Sequence, residues 1–133
     1  MRRDLLFMAD YHADPIWDAA TDSMVRLERL PISDDTRAAI RGWARRWEEL
    51  SWQQMHADDV ESGMRDGPAE PVPAYAWENI QTDGRALCHR LRRELGEGWR
   101  VGWVSFEDGK RHAKSEPDGP VELLLPTRWE ERP

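Results

Sequence analysis

Ser33-Asp-Asp-Thr-Arg-Ala-Ala-Ile-Arg-Gly-Trp-Ala-Arg-Arg-Trp-Glu-Glu-Leu50 is the stretch on which the fold turns. Ser33 is an oxygen-bearing N-cap, and Asp34 and Asp35 put negative charge on the positive end of a helix dipole. Apolar residues then recur at Ala39, Ile40, Trp43, Trp47 and Leu50, steps of three and four that line up one face of a helix. The spacing predicts a helix from Ser33 to about Met55 or Val60, with Trp43 and Trp47 as core anchors. Toward its end the face turns polar.

Working outward, Asp4 to Tyr11 is a short apolar run without caps and reads as a largely buried strand. Ser23 to Leu30 alternates Val25 and Leu27 with Arg26 and Glu28, which predicts a second, half-exposed strand stopped by Pro31. Pro15, Ile16 and Trp17 fall in the loop between them. Residues 63–73 carry five Pro or Gly and form a mobile loop or partner-facing arm. A second helix starts at Trp77 or Thr82 and runs to Leu95, with Ile80, Gly84, Leu87, Leu91 and Leu95 on one face and Gly96 ending it. Trp99, Val101 and Trp103 alternate through Phe106 as a strand. Residues 107–120 are a polar connection, Val121 to Leu125 a last strand, and Trp129 lies in the tail. The order gives an α+β fold in which two helices pack on one face of a mainly antiparallel sheet of about four strands. At 133 residues the whole chain, 1–133, reads as a single domain.

Composition narrows function. The formal net charge of −7 disfavours a binder of nucleic-acid backbone, which needs a basic face, and suits a basic protein partner. Leu5 to Ala9 is too short for a signal peptide or a membrane span, so the chain reads as cytoplasmic, with no membrane partner. The single Cys88 precludes an internal disulfide and fits a reducing compartment. Arginines outnumber lysines 17 to 2, a bias of high-GC coding sequence. No phosphate-cradling glycine loop, serine elbow or dinucleotide fingerprint is present, and no cofactor is implied.

Eight tryptophans against four Phe and Tyr are the other compositional signal. Trp99 and Trp103 share one sheet face, as core or as an exposed platform. Trp17, Trp52, Trp77 and Trp129 fall at element edges, and tryptophan beside acidic residues is what a protein-binding surface often presents. The candidate partner-binding residues are Asp14, Trp17, Asp18 and Trp52, with Asp58, Asp59 and Glu61 as a second edge.

Asp10-Tyr11-His12-Ala13-Asp14 is the one segment with metal chemistry in it, since Asp10 and His12 two residues apart on a strand face the same side. It resembles the opening Asp-x-His of calcineurin-like metallophosphoesterases. The Gly-Asp, Gly-Asn-His and Gly-His-x-His segments that complete that family's site are absent. A small metal-dependent hydrolase using Asp10, His12 and Asp14, joined by His56 from a second acidic cluster, is one alternative function. A scaffold or regulatory subunit docking through 63–73 is another. His89, next to Cys88 on the second helix, and His112, in the polar connection, read as structural and surface residues.

A wider resemblance covers about residues 4–106. Asp-Tyr-His-Ala-Asp-Pro-Ile-Trp-Asp, then Leu-Pro-Ile-Ser before a Trp-containing helix, then Asp-Gly-Arg-Ala-Leu-Cys-His-Arg-Leu-Arg-Arg-Glu-Leu-Gly before a Trp/Val strand, is similar to a group of small proteins from high-GC bacteria. Proteins of this kind resemble the immunity proteins of bacterial toxin systems, which are small, acidic, cytoplasmic α+β domains. The resemblance implies a non-enzymatic, immunity-type inhibitor that neutralises a basic toxin domain, and it transfers no individual functional residue.

Overall fold

A computed structural model describes residues 3–107 and 110–114. Strand β1 (Arg3–Phe7) is followed by two short strands, β2 (Ile16–Asp18) and β3 (Ser23–Met24). Helix α1 (Asp34–Glu61) and helix α2 (Ala74–Leu95) come next, then β4 (Trp99–Glu107) and β5 (Lys110–Lys114). The described strands form one sheet in the order β3-β2-β1-β4-β5. Its β1·β2, β2·β3 and β4·β5 pairings are antiparallel, and only the central β1·β4 pair is parallel. The parallel pair follows from the connection: after β3 the 25–33 segment returns the chain to the end where β1 began, and the α1–α2 hairpin starts and finishes at that end, Ser33 beside Glu94, so that β4 enters alongside β1.

Strand alternation splits the core. Leu5 and Phe7 on β1 and Val101 and Trp103 on β4 face the helices and pack with Ile40, Trp43, Ile80, Cys88 and Leu91. Leu6, Met8 and Val104 form a smaller cluster on the opposite face, with Trp17 and Ala19 against it. Trp43 and Trp103 are 3% and 4% exposed, so both are core and not platform. Trp43 also donates its indole N–H to the Ile80 carbonyl at 2.7 Å, which locks α1 to α2. On the far face Asp4 and Arg100 are register partners and form a bidentate ion pair at 3.0 and 3.2 Å.

Three expectations are corrected. Ile16–Asp18, read as loop, is a strand: it is too short for periodicity to show, yet its ladder with β1 is regular, Phe7 opposite Ile16 and Leu5 opposite Asp18. Ser23 to Leu30, read as one strand, is extended only at Ser23–Met24 and then makes a 3-10 turn at Leu27–Arg29. Leu27 and Leu30, three apart, are both buried by that turn, and the carbonyls of both accept from the Arg37 guanidinium at 3.0 and 2.9 Å. Side chains therefore satisfy backbone groups that a ladder would otherwise have taken. The polar connection 107–120 contains β5, whose residues pair from Glu107 opposite Lys110 to Trp103 opposite Lys114. Its polarity hid the strand, although Asp108-Gly109 is a dipeptide that two-residue hairpins favour. The expected strand Val121 to Leu125 and Trp129 lie outside the described residues.

Helix α2 starts earlier than its apolar stripe, directly after Pro73, whose fixed φ suits a helix entry. The 63–73 segment has no helix or strand, and its end is tied to α1: Val72 N–H donates to Gln54 at 3.1 Å and Gln53 donates to the Glu70 carbonyl at 3.0 Å. No helix among the described residues is long and apolar enough to cross a membrane.

Candidate protein-binding surface

Helix α1 has 28 residues, about 42 Å at the usual rise, and its second half presents side chains to solvent. Glu48, Trp52, Met55 and Asp59 follow at steps of four, three and four, which places them on one side of the helix. Trp52 is 50% exposed and Met55 42%, large apolar groups that folding has left in water.

The loop after β1 lies against this stripe. Met8 N–H bonds the Pro15 carbonyl at 2.8 Å, closing the loop at its base. Asp10 accepts the Tyr11 N–H at 2.8 Å, and His12 takes a left-handed conformation at φ 55°. The Tyr11 ring then sits 5.0 Å from Trp47 and 5.3 Å from Trp52, bridging a half-buried tryptophan to an exposed one. His12 Nδ1 lies 3.4 Å from Glu48. Of the second acidic edge, Asp58 is exposed and accepts from Gln54 at 2.9 Å, Glu61 is exposed, and Asp59 is half-buried. His56 stands 3.3 Å from Arg65.

Beside the stripe a groove of about 440 Å³ runs between the 12–14 loop, the 24–28 segment and α1. Its floor is an ion network. Arg41 donates to both oxygens of Asp14 at 3.3 and 3.2 Å and also pairs with Glu28, while Asp14 accepts the Leu27 N–H at 3.1 Å. Asp14, and after it Glu28, hold Arg41 in its charged form above its ordinary value, and the Arg41 hydrogen bond holds Glu28 below the usual carboxylate range. Asp14 is thus a buttress joining the 24–28 segment to α1, and its charge is already met by Arg41.

Trp17 and Asp18 are elsewhere. Trp17 packs on the Leu6, Met8 and Val104 face of the sheet and donates its indole N–H to the Met8 carbonyl at 2.9 Å. Asp18 accepts the N–H groups of Ala20 and Thr21 at 2.9 and 3.3 Å and pairs with Arg3 at 3.5 Å. The structure therefore puts Trp52 and Asp59 on one side of the outer half of α1, with Asp14 at its border, turns Asp58 and Glu61 about 120° and about 180° away from Trp52 around the helix, and separates Trp17 and Asp18 from all of them. Nor do Asp10, His12 and Asp14 converge: Asp10 serves the loop turn, His12 faces Glu48, and Asp14 is held by Arg41. Among the described residues no three His, Cys, Asp or Glu side chains are grouped to hold a metal ion. Sequence reading missed Tyr11, Glu48 and Met55; the signal for the last two was the four-three-four spacing around Trp52.

A search of curated proteins finds no match to the chain. The model of a family described as Serratia CdiI immunity protein-like matches residues 3–106, a range that takes in β1 to β3, both helices, the Tyr11 loop and all but the last residue of β4. With most of its length matched in this way, the chain belongs to the Serratia CdiI immunity protein-like family.

Proposed function

We propose that the protein is a cytoplasmic, non-enzymatic inhibitor that binds a basic toxin domain through the outer half of α1 and the Tyr11 loop. The family match carries the reading, and the surface supplies its chemistry. Trp52, half-exposed and steadied by Tyr11, is an anchor of the kind that dominates binding energy at interfaces. Glu48 and Asp59, on its side of the helix, put negative charge beside it on a chain of net charge −7, which steers a basic partner and adds orientation.

The test is affinity capture from the host on immobilised protein, at low and moderate salt, with wild-type and Trp52→Ala baits. One stoichiometric basic toxin domain is retained by the wild type and released as salt rises, and Trp52→Ala weakens it by about 30-fold, the scale of a 2 kcal/mol hot spot. An acidic partner, or a partner held equally by both baits, would overturn the assignment.

A further inference from the structure

Where β1 ends, the sheet and the two helices leave a cavity of about 160 Å³. Its walls are Phe7, Trp43, Trp47, Trp77, Ile80 and Trp103, and Ala9 and the exposed Gln81 also line it. Protein interiors are close-packed, with few voids larger than a water molecule, so an opening of this size among four indoles is unusual. A dry cavity of about 150 Å³ holds one benzene ring, so the volume here matches a single aromatic ring.

The cavity adjoins the surface described above. Trp47 is one of its walls and also meets Tyr11, whose ring in turn meets Trp52. A partner seated on the Trp52 stripe would lie beside the cavity, and interface anchors characteristically fill pockets of this kind.

We propose that this cavity is the receptor for one aromatic side chain of the toxin domain, a phenylalanine in size and polarity. The proposal rests on the toxin-binding reading, which its test can separate from it. The probe is toluene, the phenylalanine side chain alone, titrated into the intact protein and followed by NMR at the Trp47, Ile80 and Trp103 resonances. Saturable binding with a dissociation constant near about 1 mM is expected. Ala9→Leu, which adds bulk to the lining, weakens it by about tenfold or more, and Gln81→Trp at the exposed edge is a second blocking variant should the first not fold. Both variants also weaken, by about tenfold or more, the toxin domain captured on the wild type, and toluene competes with it. No saturable toluene binding would overturn the proposal even with the toxin captured. Toluene binding that leaves toxin association unchanged in both variants would identify a site for a free small aromatic molecule and overturn the anchor. If the wild type captures no toxin domain, the functional reading fails first and the anchor with it, whatever toluene does.

Discussion

At the scale of single residues, the tightest constraint in the core is a missing side chain. A Cβ on Gly84 would stand 2.6 Å from Trp103 Cη2 and 2.8 Å from Trp43 Cζ2, and both obstacles are rigid rings. Gly84→Ala is therefore expected to destabilise the protein by about 1–3 kcal/mol through overpacking, although alanine is the better helix former. Urea unfolding measures this, and a stabilised variant would mean that the helices do not pack so closely. Trp52→Ala is expected to act the other way round: a change in stability below about 1 kcal/mol, since the ring is half-exposed, with a large loss of partner affinity. The core role of Trp43 was legible because the apolar spacing is a helix period, while Trp47 on the same stripe is half-buried and packs against the core. The role of Asp14 was not legible, because its partner Arg41 is 27 positions away and only the fold brings the two together.

Among the elements, α1 shows how local signals and distant partners combine. Ser33 caps it as its sequence predicts, accepting the Thr36 N–H at 3.2 Å. The cap is reinforced from the far end of α2, where Glu94 accepts the Ser33 N–H at 2.7 Å and the buried Thr36 hydroxyl. Ser33→Ala is expected to cost about 1 kcal/mol, read from the thermal midpoint. The Thr36 hydroxyl, and after it the Ser33 N–H, lower the Glu94 pKa from 4.5 to about 2. A depressed carboxylate stabilises the fold fully above its unfolded value and loses that contribution as pH falls from about 4.5 to about 2. Thermal melts across this window are expected to fall more steeply with acid for the wild type than for Glu94→Gln, which is less stable than the wild type at neutral pH. Equal slopes would show that the carboxylate is not engaged. The strands were less legible than the helices. Ile16–Asp18 is held by its ladder with β1, while the alternation of Val25 and Leu27 imitated a strand where Arg37 in fact holds a turn.

For the molecule as a whole, charge and shape divide the work. Association with a basic toxin domain is expected to slow several-fold between about 0.05 and 0.2 M salt, because exposed charges are screened beyond about 10 Å near 0.1 M while a seated Trp52 is not. Stopped-flow association rates against ionic strength measure it, and a salt-independent rate would remove steering from the mechanism. The amino-acid sequence by itself determined the two helices, the Ser33 cap of α1 and the Gly96 stop of α2, the core tryptophan Trp43, and the acidic balance. These are properties of neighbours along the chain, set by side-chain period, caps and summed charge. Only the tertiary structure decided that β1 and β4 pair in parallel, that Asp14 is spent on Arg41, that Trp17 and Trp52 lie on separate surfaces, and that four indoles help to line a ring-sized cavity. Each of those depends on which distant groups meet, and local period and propensity carry no record of that.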